Sequence, residues 1–172
     1  PCYRGKWCGM IGDPALCEPD GDLTMPTKVI RPLVISVFRQ EDRILAAEAY
    51  DPVKGETFYR PLGGGIEFGE LSRDAIVREI REEIGAEITD VRFLGTLENR
   101  FTFNGTPGHE IVLVYDATFV DRSLYDRSAI LGREDALDED FLAVWKRLDE
   151  FGPGHPPLYP DGLLDLLQHV TA

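Results

Sequence analysis

The sequence predicts a mixed α/β fold in which a mixed β-sheet lies between helices. Strand-like and helix-like runs interleave along the chain, which is the pattern of a layered α/β domain. Several neighbouring strand runs are joined too tightly for a parallel crossover, so the sheet must contain antiparallel pairs. With 172 residues, the chain suits one domain with a substantial core better than two.

Residues 29–38 and 43–47 read as strands joined by a polar turn at 40–42, and 56–60 as a short strand leading into Pro61-Leu62-Gly63-Gly64-Gly65. The clearest helix covers 72–84, with Ser72 in the N-cap role and Gly85 as its stop. Its Ile76, Ile80 and Ile84 recur at i, i+4 and i+8, a stripe that packs on a sheet. Strands follow at 88–97 and 111–119, a charged surface loop at 121–138, a last strand at 141–146 and a closing helix at 162–170 started by Asp161. Residues 1–25 show neither periodicity and read as a loose N-terminal arm, or as residues upstream of a natural start at Met25, ahead of a domain over 26–172. No internal repeat interrupts this order.

Composition bounds the function. Apolar residues make up 43% and charged residues 28%, and no apolar run reaches the length of a membrane span. A secretory leader pattern is absent at the start given, so a cytoplasmic protein without a membrane partner is the expectation. The net charge of −13 opposes binding of nucleic-acid polymers, which is led by Lys and Arg contacts to phosphate. It admits a small phosphorylated ligand whose charge is offset by metal ions. Cys2, Cys8 and Cys17 are odd in number and clustered, which favours neither a disulfide framework nor a zinc site.

The predicted 72–84 helix carries an unusual charge pattern. Glu79, Glu82 and Glu83 share one arc at i, i+3 and i+4, and like charges at that spacing cost a few tenths of a kcal/mol per pair, roughly. Arg78 relieves Glu82, its i+4 neighbour, whereas Glu79 and Glu83 are left uncompensated on the helix itself. A solvated, salt-bridged face is the ordinary explanation of such a helix. The lead-in argues for more: Gly63, Gly64 and Gly65 let backbone approach a ligand, and Glu67 and Glu70 follow at once. Hard oxygen ligands beside a phosphate-sized gap suit Mg²⁺, with Mn²⁺ as a substitute.

Residues 64–86, GGIEFGELSRDAIVREIREEIGA, resemble the Nudix box G-x5-E-x7-R-E-U-x-E-E-x-G-U, where U is a bulky aliphatic. The match falls on Gly64, Glu70, Arg78, Glu79, Ile80, Glu82, Glu83 and Gly85, and only Ala86 is smaller than the pattern asks. The resemblance implies the α/β/α sandwich of the Nudix hydrolases and metal-dependent hydrolysis of a phosphoanhydride bond. It makes Glu79 and Glu83 the leading metal ligands, with Glu82 ligating or orienting the attacking water and the Gly64 carbonyl as a further ligand. Arg78 then holds the cluster together and Glu70 supports the loop. The family takes its general base from box glutamates or from a later loop, where Glu110 and Glu139 are the outside candidates.

Arg60, just before the loop, is a candidate for contacting substrate phosphate, against the alternative of a structural ion pair. Phe101 and Phe103 offer a face for base stacking or fill the core; His109 reads as a hydrogen-bonding or exposed residue, with acid or base as the alternative role, and Trp145 and Tyr159 read as packing residues. The substrate stays open among nucleoside diphosphate sugars of the ADP-ribose kind, nucleoside triphosphates and dinucleoside polyphosphates. Where ADP-ribose pyrophosphatases carry a proline past the box this chain has Phe101, and the tyrosine of dinucleoside polyphosphate hydrolases is replaced by Phe103 or Asn104. The tag of NADH pyrophosphatases and the signature of coenzyme A hydrolases are also missing. A non-catalytic module that senses a nucleotide metabolite, or an acidic interaction protein, is the competing reading, and a homodimer stays open.

Overall fold

The computed structural model describes residues 28–134 and 139–170. In chain order its strands are β1 (Arg31–Val37), β2 (Arg39–Gln40), β3 (Arg43–Asp51), β4 (Glu56–Arg60), β5 (Ile88–Phe103), β6 (Thr106–Phe119), β7 (Ala129–Glu134) and β8 (Glu139–Arg147). Its α-helices are α1 (Ser72–Ile84) and α2 (Leu163–Val170). The proposed arm at 1–25 lies outside the described residues.

Alternation along β1 explains the layers. Leu33, Ile35 and Val37 join Val112, Val114 and the α2 residues Leu163 and Leu167 in one core. Val34, with Phe38 just beyond the strand, joins Phe119 and the α1 residues Ala75, Ile76 and Ile80 in the other. A strand apolar on both faces belongs in the middle of a sandwich, with helices on either side. α1 ends as its sequence requires, at Gly85 with φ of 65° and its N–H donating to the Arg81 carbonyl. Ser72, however, is the first helical residue and caps nothing; its hydroxyl pairs with the Tyr115 hydroxyl at 2.7 Å and pins the helix start to β6.

There are two sheets where the sequence suggested one. A three-stranded sheet has the order β1-β6-β5, with β1 parallel to β6 and β6 antiparallel to β5. A five-stranded antiparallel sheet has the order β2-β3-β8-β7, with β4 pairing further along the edge of β3 that also carries β2. The reason is visible at the free edge of β1. Val34 N donates to Gly64 O at 2.9 Å and Ser36 N to Leu62 O at 2.8 Å, so the loop before α1 takes the position a strand of the second sheet would need.

Two further corrections concern length. The β5–β6 hairpin continues past the expected ends to Phe103 opposite Thr106, because Asn104 and Gly105 take the positive φ values of a two-residue turn. The expected loop at 121–138 contains a 3₁₀ turn, Arg122–Asp126, and all of β7. Leu124 and Ile130 are buried in the α1-side core there, and their apolar signal was diluted by charged neighbours. No helix among the described residues is long and apolar enough to cross a membrane.

Candidate active site

The glycine loop is shaped by close approach. Gly63 has φ of 133°, and a Cβ there would lie 2.2 Å from the Val34 carbonyl oxygen, so no other residue fits without moving β1. A Cβ on Gly64 would fall 2.4 Å from the Glu79 carboxylate, which means that Glu79 rests directly on the loop backbone. Nothing within 4 Å would meet a Cβ on Gly65, and the loop is open there.

Arg78 organises the carboxylates. Its Nε and Nη2 form a fork on Glu70 at 2.9 and 2.8 Å, its Nη1 donates to Glu79 at 2.8 Å and Glu82 at 2.9 Å, and Nη2 also reaches Gly65 O at 2.9 Å. Five contacts match the five donors of a guanidinium. The expected pairing of Arg78 with Glu82 is therefore present, and Glu79, expected to lack compensation, shares the same cation. Glu83 turns inward, 5% exposed, where Oε2 accepts the Gly63 N–H at 3.0 Å, while Glu82 is half-exposed on the outer flank. The arc of three glutamates thus splits into different environments.

The Glu70 carboxyl is held below its ordinary 4.5, chiefly by the hydrogen bonds from Arg78. The folded state then prefers the ionised form, so the contribution is complete above the unfolded value and is lost as pH falls through the lower folded value. A thermal midpoint that falls as the solution is acidified below about 4.5, and falls less steeply in Glu70→Gln, is the expected result of pH-dependent melting.

Among the described residues no three His, Cys, Asp or Glu side chains converge at metal-ligand spacing. A magnesium ion does not require three, since it keeps several waters and takes one or two carboxylates from its protein. Glu79 against Gly64 and Glu83 on Gly63 are the two carboxylates that would hold such an ion. Charge points the same way: the Arg78 guanidinium is shared by three carboxylates, those of Glu70, Glu79 and Glu82. Hard oxygen donors beside a glycine cradle fit a divalent cation. The Gly64 carbonyl already accepts Val34 N–H and retains its second lone pair.

A hollow opens between β4 and the β5–β6 hairpin, lined by Phe58, Arg60, Asn99, Phe101, Phe103 and Tyr159 among others. Phe58 meets Phe103 edge-on at 5.9 Å and Tyr159 at 5.5 Å between ring centroids. Arg60 and Phe103, proposed from sequence as substrate contacts, are brought together here, and Glu110, an outside candidate for the base, lines the same hollow. Tyr159, read as a packing residue, is part of the wall, and Phe58 and Asn99 were missed altogether. The alternation of Asn99, Phe101 and Phe103 along one strand was the signal available for this face.

The two outside candidates for a base part company. Glu110 is 1% exposed and lies beyond β1 from the glycine loop, engaged by Arg31 and by Asn99 Nδ2 at 3.2 Å. Glu139 opens β8, and its Oε2 is buried with no hydrogen-bond partner among the described residues. His109 pairs with Glu98 at 2.8 Å, in keeping with its ordinary reading.

Fold and site together define an α/β/α sandwich with a glycine loop, a carboxylate-bearing helix and an aromatic hollow walled by β4 and the β5–β6 hairpin. The NUDIX domain family model matches residues 28–162, and the chain belongs to that family, the Nudix hydrolases. It is 28% identical over 124 residues to the NAD-capped RNA hydrolase NudC of Pseudomonas aeruginosa, covering 72% of this chain and 38% of that protein. It is 32% identical over 100 residues to the protein of the same name from Pseudomonas putida, covering 53% and 35%. The chain thus spans little more than a third of the length of these relatives. Among solved structures, the MutT NUDIX hydrolase from Burkholderia pseudomallei aligns with a TM-score of 0.58 at 23% identity, covering 82% of this chain and 98% of that one. A NUDIX hydrolase from Nitrosomonas europaea aligns with a TM-score of 0.57 at 17% identity, covering 83% and 89%. These two likenesses concern the fold.

Proposed function

We propose that this chain hydrolyses the phosphoanhydride bond of a nucleoside diphosphate derivative with the help of Mg²⁺ or Mn²⁺. The observation that carries the proposal is the seating of Glu79 and Glu83 on consecutive glycines of an open loop, beside the Arg78 guanidinium that Glu70, Glu79 and Glu82 share. When bound, the ion supplies a water of lowered pKa and offsets charge on the diphosphate oxygens. Glu79 and Glu83 would hold it, and Arg78 fixes Glu79 and Glu82 relative to each other. Glu82, on the open flank, orients the attacking water and accepts its proton; Glu139 is the alternative acceptor. Oxygen from water bonds to one phosphorus as the bridging oxygen leaves, giving two phosphate monoesters from a diphosphate esterified at both ends, or a nucleotide and inorganic phosphate or pyrophosphate from a triphosphate. Arg60 meets the phosphates, Gly65 admits them to the backbone, and Phe58 and Phe103 flank the nucleoside ring.

Nucleotide sugars, nucleoside triphosphates and dinucleoside polyphosphates all fit this chemistry. The relatives' name adds NAD, whose two nucleosides are joined by a diphosphate, and places an RNA polymer beside a chain of net charge −13. A panel of ADP-ribose, NAD, triphosphates, dinucleoside polyphosphates and an NAD-capped oligonucleotide, with product identification, tests the proposal. Mg²⁺-dependent release of monophosphate products is expected from at least one member, with the small molecules preferred to the capped RNA. Absence of turnover on every member at high enzyme concentration overturns it. The full engagement of Arg78 favours a second reading, a nucleotide-sensing module, which predicts ligand binding without conversion.

A further inference from the structure

The aromatic hollow has a polar end to which the proposed reaction gives no task. Glu56, Phe58 and Arg60 alternate along β4, so their side chains share one face of the strand, and all three line the hollow. Arg60 leads through Pro61 and Leu62 into the glycine loop, while Glu56 opens the strand, about 13 Å away at roughly 3.3 Å per residue. The order along the strand is thus a cation beside the loop, an aromatic ring, and a carboxylate at the far end. We infer that Glu56 selects a nucleobase bearing an exocyclic amine, accepting its N–H while the Tyr159 hydroxyl donates to the adjoining ring nitrogen. The inference rests on the reading of this hollow as the nucleoside site.

The state of the other polar groups in the wall is the first argument. Asp51, Glu56 and Glu110 are the acids of the lining. Asp51 accepts the N–H groups of Val53 at 2.9 Å, Lys54 at 3.1 Å and Asn104 at 3.3 Å, and Lys54 Nζ leans on it at 3.9 Å. Glu110 is taken by Arg31 and by Asn99, whose own Oδ1 is occupied by the Asp161 N–H. The Glu56 carboxylate, half-buried, makes no hydrogen bond or ion pair among the described residues. A carboxylate drawn partly out of water without a donor is unfavourable, and a ligand N–H is what it lacks.

Tyr159 is the second argument. Its ring meets Phe58 at 5.5 Å, and its hydroxyl likewise has no hydrogen-bond partner among the described residues. Burial, and after it the carboxylates of Glu56, Asp161 and Asp51, hold the phenol above its usual range, so at neutral pH it keeps its proton and can donate. Glu56 can only accept. An acceptor and a donor beside an aromatic wall are the complement of an amine next to a ring nitrogen. A ring that turned a carbonyl oxygen toward Glu56 would set acceptor against acceptor, and a ring without the amine would leave the carboxylate as it is.

The test is a calorimetric titration of the full chain, in EDTA, with AMP and with purine riboside 5′-monophosphate, which differs from AMP only in lacking the amine. No turnover is required, so failure of the hydrolase reading shows in the substrate panel and leaves this comparison intact. Both probes carry the same phosphate, so repulsion by nearby acids cancels in the ratio of their affinities. AMP should bind about tenfold more tightly or better, the worth of one charge-assisted hydrogen bond. Glu56→Ala should bring the ratio close to one. Tyr159→Phe should weaken both probes alike and keep the ratio, because both present the ring nitrogen. Equal affinity of the two probes for the native chain, a ratio that survives Glu56→Ala, or no saturable heat at millimolar AMP would each overturn the assignment.

Discussion

Glu83→Gln is expected to lower turnover by roughly 10²–10³-fold while the protein stays folded, the loss expected when several kcal/mol of charge stabilisation disappear from the transition state. The geometry makes this substitution unusually clean. Glu83 is buried and its Oε2 accepts the Gly63 N–H at 3.0 Å. A glutamine carbonyl takes over that bond, so the loop keeps its anchor and only the negative charge is lost. The measurements are kcat at saturating Mg²⁺ and the melting midpoint with and without the ion. A bound cation raises the midpoint by mass action, and that rise should shrink in the variant. Full activity in Glu83→Gln would remove the metal site from this pair of glutamates, and with it the mechanism proposed above.

The largest expected effect on stability is elsewhere. Glu110→Ala should cost about 3 kcal/mol in denaturant unfolding, the low end for breaking a buried ion pair because Arg31 keeps 20% exposure of its side chain. The carboxylate holds Arg31 on β1 and the Asn99 amide on β5, and Asn99 in turn accepts the Asp161 N–H just before α2 at 3.3 Å. One side chain thus ties all three strands of the smaller sheet to the approach of the second helix. Glu110→Gln, which retains an acceptor, should lose less stability and keep most of the turnover. A collapse of turnover in Glu110→Gln with stability intact would instead return Glu110 to the role of general base.

Much of the site was legible in the residues alone, because its signal is local. The spacing of Glu79, Glu82 and Glu83, the stripe of Ile76 and Ile80, the stop at Gly85 and the glycines before them all act within a few turns of chain. The pairing of Arg78 with Glu82 follows from helix geometry and is found. What the spacing hid was that Arg78 also reaches Glu70 and Glu79, and that Glu83 leaves the shared arc for the interior. Those choices depend on where the loop backbone runs, and the loop is fixed by β1.

By itself, then, the chain determined the carboxylate-bearing helix, its glycine lead-in and the layered class of the fold, since periodicity and short-range sterics decide such features. Only the tertiary structure decided that the β-layer divides in two, that Tyr159, Phe58 and Phe103 come from three distant segments to one hollow, and that Glu110 is spent on Arg31. Contacts between residues far apart in sequence leave no periodic trace, because burial and pairing there are set by the whole packed core.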